Sequence, residues 1–423
     1  MNAMTRRWRA NALAGPLAAL ALSAMAAGTT QADPAPPFAQ LLRQAEQSPR
    51  MAALTADVEQ AEGLAEQARA RPNPTISAYA ENFGGSSPYG GFGRTETTLQ
   101  LNQPFELGGK RSARIAAGRA GIVAAQAQGF AGRLAYAYDL ARAYAAAEVA
   151  IGRIALAEDE VEEATAVTEV ARALVTAGKE ARLRQLQAET DLNATTGDLA
   201  SAKAASVAAL ARLSALAGVE TPYTGLSESL IDRMAARPYS GPADPLQDAA
   251  YRAADALRDA AAARVAVERT RAVPDITAQV GVRRLEVDNA TALVAGVSLP
   301  LHVFDRNRGN IAAAQAELRG ADARARLARL EALAMIQSAD AMAAAADTRA
   351  AAAARAMATA QETYRLARIA YEAGKVPLIE LLAARHGLGT ARGIVLDAAA
   401  ARLDARATLA RLHGRTITGD LVQ

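Results

Sequence analysis

The stretch "ELGGKRS" (Glu106 to Ser112) is the nearest approach in this chain to a reactive motif. A phosphate-cradling loop needs Gly-x4-Gly-Lys followed directly by Ser or Thr. Aligned on Gly109-Lys110, the first glycine position is Pro104 and the Ser/Thr position is Arg111, so the motif fails. The three histidines, His302, His386 and His413, lie far apart, with no partner spacing that would cluster ligands on a metal. Cysteine is absent, which removes disulfides, thiolate zinc sites, thiol catalysis and a lipid on an N-terminal cysteine. No nucleophile, base and acid stand in a recognisable set. The sequence is read as a non-enzyme without a cofactor or a dedicated metal site.

Positioning elements dominate the 423 residues instead. Half of the chain is hydrophobic but only 4% is aromatic, and Ala, Arg, Glu, Leu and Gln prevail, the composition of long helices and coiled coils. Arg6, Arg7 and Arg9 precede a small-residue apolar segment, Ala10 to Ala27, and "TQA" ends at Ala32. Residues 1–32 are therefore expected to be a cleaved signal peptide. A cleavage point near Ala26 and an uncleaved anchor are the alternatives; Gly15-Pro16 argues against the anchor. The formal net charge is +3, and the signal segment holds three arginines and no acid, so the mature chain is close to neutral and gives no ground for nucleic-acid binding. No other segment approaches an unbroken apolar helix of about 18 residues.

The mature chain reads as a duplication. A shift of 196 places Pro104 on Pro300 and Ala177-Gly178-Lys179 on Ala373-Gly374-Lys375 without a gap. The expected repeats are 33–220 and 246–415, separated by a Pro- and Gly-rich linker, 221–245, and followed by a tail, 416–423. Each begins with a helix (Phe38 to Ala70; Pro245 to Arg271) ended by "RPNP" or "AVPD". Two period-2 segments follow in each, near 74–83 and 95–103, and near 275–284 and 291–301, with apolar and polar residues on opposite faces. "GGSSPYGGFGR" (Gly84 to Arg94) is an exposed loop by composition. Then come long helices, 108–177 and 306–373. Each is about 68 residues, or about 100 Å at 1.5 Å per residue. Gly178 and Gly374 end them, and second helices follow at 180–217 and 376–413. A short amphipathic helix, Leu226 to Met234, lies in the linker. Leu134, Tyr138, Ala141 and Tyr144 form a helix-packing stripe.

Four such strands cannot close a transmembrane barrel, whose smallest single-chain form has about eight, and open edges are not tolerated in lipid. Strands of this kind that cross a membrane must share a barrel between chains. A small soluble sheet beneath a coiled coil is the alternative. Pro104, Gly108, Gly109 and Pro300 mark the junctions where strand turns into helix.

"RPNPTISAYAENFGG", "ETTLQLNQPFELGGKRSARIAAG" and the duplicated plan resemble the TolC-like outer-membrane efflux proteins, most of all the CzcC-type branch that serves heavy-metal efflux. The resemblance spans essentially the whole mature chain. It implies a mainly α fold with a small transmembrane β part: a homotrimer with a shared twelve-stranded barrel in outer-membrane lipid and a periplasmic tunnel of helical hairpins. It also implies two partners, a periplasmic adaptor and an inner-membrane RND pump, in a Gram-negative envelope. The tips at Gly178, Lys179, Gly374 and Lys375 would dock the adaptor; for the two lysines, a plain interaction with the helix C-terminus is the alternative. Tyr371 and Glu380 match the family's entrance tyrosine and first entrance acid. The second acid position is Ala383, which departs from the pattern. Glu380 as an ordinary solvated residue stays open. Arg184, at the position of Glu380 in the first repeat, is expected to pair with an acid and hold the tip shut. The expected function is a passive exit duct for metal cations. A duct for drugs or secreted protein, and a periplasmic coiled-coil adaptor, are the competing readings.

Overall fold

The structure is a computed structural model that describes residues 33–235 and 242–420. The expected signal peptide, part of the linker and the last three tail residues lie outside the described residues. Chain order is α1 (Phe38–Gln44), α2 (Pro49–Gln67), β1 (Thr75–Glu81), β2 (Glu96–Phe105), α3 (Lys110–Thr176), α4 (Arg182–Ala217), α5 (Leu230–Ala235), α6 (Ala249–Arg271), β3 (Ile276–Leu285), β4 (Ala290–Ser298), α7 (Arg308–Glu372) and α8 (Leu378–Leu412).

The elements depart from the sequence reading at several proline-bearing points. The helix expected over Phe38 to Ala70 is two helices joined by a 3-10 turn, Ala45–Gln47. Pro49 holds Ser48 extended, and the Ser48 hydroxyl accepts from the Met51 amide at 3.4 Å. Helix α6 starts after Pro245, at Ala249, and is capped by Asp248, whose carboxylate accepts from the amides of Ala250 and Tyr251, each at 3.0 Å. Strand β4 stops at Ser298, short of Pro300. Strand β2 runs through Pro104 to Phe105. Strand β1 starts at Thr75, opposite Asn102, so Pro104 has a strand neighbour only on the β3 side, Thr277, and its missing N–H is tolerated there. Pro104 is thus the penultimate residue of a strand, whereas Pro300 lies beyond one.

The strands form one antiparallel sheet in the order β1-β2-β3-β4. Register keeps the two faces distinct. Ile76, Leu101, Val280 and Ala295 form one cross-strand row, and Ala78, Leu99, Val282 and Leu293 the next. The opposite face carries Ser77, Gln100 and Gly281 in one row and Thr75, Asn102 and Gln279 in another. Among the described residues nothing covers the apolar face: Leu293 is 86% exposed and Ile76 75%. Among the described residues both sheet edges are unpaired.

Helices α3 and α7, 67 and 65 residues long, fold back on α4 and α8 as hairpins, while α6 bridges α3 and α7, and α8 also packs on α3. The buried seams are alanines at intervals of seven: Ala150, Ala157, Ala164 and Ala171 on α3, and Ala325, Ala332, Ala339, Ala346 and Ala353 on α7. A heptad period brings the same face round every two turns and favours left-handed winding, and the methyl side chain lets the helix axes approach closely. Helix α4 is apolar and long enough to cross a membrane by composition, which the sequence reading did not expect. Its Leu210, Leu213 and Ala217 are instead buried in the main core.

That core lies at mid-height on the hairpins. Phe38 and Leu41 of α1, Leu140 and Tyr144 of α3, Leu213, Leu230 of α5 and Leu403 of α8 meet there. Tyr144 packs edge-on against Phe38, with ring centroids 6.2 Å apart, and its hydroxyl donates to the Glu228 carbonyl at 2.8 Å. Glu148 accepts from the Leu230 and Ile231 amides at 3.0 and 3.2 Å, capping α5 and fixing the linker to α3. Leu134, Ala141 and Tyr144 of the stripe are buried.

Candidate functional site: strand–helix junctions and hairpin tips

At the first junction the chain must leave a pleated strand and enter a helix within a few residues. Gly108 and Gly109 do this with φ of 66° and 77°, a region closed to most side chains. A Cβ at Gly108 would also lie 2.7 Å from Val273, so α6's exit packs directly on the turn. Asp275 locks the same point: it accepts from the Leu107 amide at 3.0 Å and pairs with Lys110 at 2.8 Å. Burial opposes its charge, but the Lys110 and Leu107 hydrogen bonds outweigh burial and hold its carboxyl below the usual range. Arg114 forks onto Glu106 and donates to the Ala70 carbonyl at 3.1 Å.

The second junction solves the same problem with other residues. Asn307, with φ of 57°, takes the left-handed position before α7; asparagine tolerates it better than most residues. Its amide nitrogen donates to the Glu268 carbonyl at 2.8 Å and the Glu268 carboxylate at 3.0 Å. His302 lies against the Ala272 carbonyl at 2.9 Å, a packing role at the junction. Among the described residues no group of three or more His, Cys, Asp or Glu is placed to hold a metal ion.

The two tips are near copies. Lys179 N–H reaches back to the Leu174 carbonyl at 2.9 Å and Gly178 N–H to Val175 at 3.0 Å; Lys375 reaches Ala370 at 2.8 Å and Gly374 reaches Tyr371 at 2.9 Å. This bonding, with φ of 70° at Gly178 and 68° at Gly374, is the Schellman ending. Lys179 and Lys375 are exposed at the turns. Glu380 is exposed in the first turn of α8, where the helix N-terminus favours an acid.

Tyr371 and Arg184 come together. Tyr371 packs on the small core of Ala171, Ala188, Leu378 and Leu381 that joins both hairpins. Burial, then the charge of Glu180, raise its hydroxyl pKa, with Arg184 opposing. Arg184 does have an acid, Glu180, four residues earlier in its own hairpin at 3.9 Å. That contact ties the turn to itself.

The tie between hairpins rests on a residue that sequence reasoning passed over. Arg385 of α8, with its side chain 6% exposed, pairs with Asp191 of α4 and donates to the Glu160 carbonyl of α3 at 3.0 Å. Its Nε has no hydrogen-bond partner. Burial raises the pKa of Glu160 against the pull of Arg385, and raises that of Glu163 against Arg392 and Arg385. Weaker links run alongside: Arg392 to Asp159 at 3.7 Å and Arg153 to Asp397 at 2.5 Å. The available signal was spacing, since Arg385 falls seven residues after the buried Leu378.

A short sheet with an uncovered apolar face, continuous with paired helices about 100 Å long, defines a membrane channel subunit of the TolC-like fold. The chain belongs to the outer membrane efflux protein family, whose model matches residues 41–219 and 246–415. It is 44% identical over 403 residues to the nickel-cobalt-cadmium resistance protein NccC of Alcaligenes xylosoxydans xylosoxydans, covering 95% of this chain and 91% of that one. It is 30% identical to the cobalt-zinc-cadmium resistance protein CzcC of Cupriavidus metallidurans, covering 86% of each. Among solved structures, VceC of Vibrio cholerae matches with TM-score 0.72 and 22% identity over 91% of this chain and 97% of that one. CusC matches with TM-score 0.76 and 19% identity over 90% and 92%.

Proposed function

We propose that this chain is the outer-membrane exit duct of a tripartite pump that expels divalent heavy-metal cations of the nickel, cobalt, cadmium and zinc class. The observation that carries the reading is the sheet: four strands, open at both edges, with one face apolar and uncovered. Such a sheet is stable in lipid only when other copies close it, and three chains make a twelve-stranded barrel. The cargo class follows the resistance named for NccC and CzcC.

In this reading residues 1–32 direct export and are removed, leaving a mature chain without lipid. The repeats are 33–220 and 246–415, joined by 221–245. The tips at Gly178-Lys179 and Gly374-Lys375 dock a periplasmic adaptor, and an inner-membrane RND pump supplies the energy. Tyr371, Glu380 and Arg184 border the tunnel entrance. The duct needs no resident metal site, because selection belongs to the pump.

Growth of a deletion strain across nickel, cobalt, cadmium, zinc, copper and silver, beside a drug panel, tests this. Sensitivity to a subset of the metals, restored by the gene, is expected. Sensitivity to drugs alone would keep the duct and overturn the cargo.

A further inference from the structure

The polar face of the sheet carries charge only in its two rows nearest the loops. Its charged strand residues are Glu81, Glu96 and Arg283. All three lie at the loop ends of their strands, away from the helices, and so at the outer mouth in the orientation proposed above. The rest of the face is neutral: Ser77, Gln100, Asn102 and Gln279 lie nearer the helices, and Tyr79 and Thr98 share the row of Arg283.

The three are locked together. Glu81 and Glu96 sit directly opposite each other in the β1–β2 register, an arrangement that costs stability when like charges face. Arg283 spans the gap from β3. It reaches Glu96 at 3.0 Å and Glu81 at 3.6 Å, and its Nε donates at 3.0 Å to Thr98, a threonine 1% exposed. One arginine answers two carboxylates, so the charged strand residues of the polar face keep a net charge of minus one per chain. The carboxylates remain accessible, Glu81 at 55% and Glu96 at 27% of the side chain.

We infer that these two rows are the charge selector of the duct: repeated around the closed barrel, they favour cations and reject anions at the outer mouth. The inference rests on the proposed shared pore. It complements the entrance, where Ala383 stands in place of a second acid. Fixed charge around a narrow low-dielectric opening raises the local concentration of counter-ions, and the effect shrinks as salt shortens the screening length from about 10 Å at 0.1 M to about 3 Å at 1 M.

The test is the reversal potential of the purified full-length protein in a planar lipid bilayer under a potassium chloride gradient. The wild-type pore is expected to prefer potassium, more so at low salt. The Glu81→Gln/Glu96→Gln pair should lose that preference, and Arg283→Gln should increase it, with the oligomer intact by size exclusion. Opposite shifts in the two variants separate a charge effect from misfolding, which would move both alike. Conducting pores whose reversal potentials do not respond to either variant overturn the selector while leaving the duct standing. A wild-type chain that never conducts overturns both.

Discussion

Buried charge at Arg385 is the most consequential residue-scale feature. Removing one member of a buried ion pair leaves the other unpaired and costs roughly 3–5 kcal/mol. Arg385→Ala should therefore lower the thermal midpoint of the detergent-solubilised protein markedly, whereas Arg385→Leu combined with Asp191→Leu should recover much of the loss. Equal midpoints for wild type and Arg385→Ala would contradict a tie between the hairpins at this residue. The neighbouring acids set a pH response. Burial raises the folded-state pKa of Glu160 and Glu163 above the ordinary value of 4.5, so the folded state binds protons more readily than the unfolded one. Their contribution is fully present below that ordinary value and declines as pH rises through the raised pKa. Hydrogen exchange around residues 157–164 should accelerate with rising pH beyond its intrinsic dependence, and Glu160→Gln should blunt this. The sequence offered little warning: Arg385 reads as one more arginine in an arginine-rich helix, and its partners lie 194 and 225 residues away. Tyr371 and Glu380 were singled out through a family pattern and not through any local signal of their own.

Turns and junctions govern the elements. Gly178→Ala and Gly374→Ala place a Cβ at positive φ, costing about 1 kcal/mol each, and should weaken adaptor cross-linking in cells while leaving the barrel in place. Gly108→Ala adds a steric conflict with Val273 and should lower folding yield more than either tip variant; equal yields from all three would contradict the junction geometry. Asn307→Gly should be well tolerated, because only the backbone conformation must be preserved, although the Glu268 bonds are lost. Long helices were readable from the absence of proline, and strands from their alternation. Pro104 misled, because a proline stops a strand only where its N–H is needed and the β1 side there is empty. The α1–α2 break was missed although Ser48-Pro49 carries the signal. Asn307 hid because the second repeat replaces glycine with a residue less diagnostic of positive φ.

At the scale of the molecule, the sheet and hairpins make sense together. An open sheet demands companions, and an alanine heptad seam makes a slender, rigid wall, so neither half of the architecture suits an isolated globular domain. A twofold internal repeat gives two hairpins per chain, and the proposed trimer would set six around one axis. The duplication was legible in the two landmarks that keep one shift, while the bridge of α6 between α3 and α7 was not, since no local pattern specifies which helices neighbour each other.

The central claim is that metal leaves the cell through this protein. Cells carrying the deletion and cells complemented with the gene would be loaded with cobalt, nickel, cadmium or zinc, transferred to metal-free medium, and their metal content followed by mass spectrometry. The account predicts that the deletion strain retains at least one of these ions while the complemented strain releases it. Identical release of all four in both strains, with the protein present in the outer membrane of the complemented cells, would contradict it.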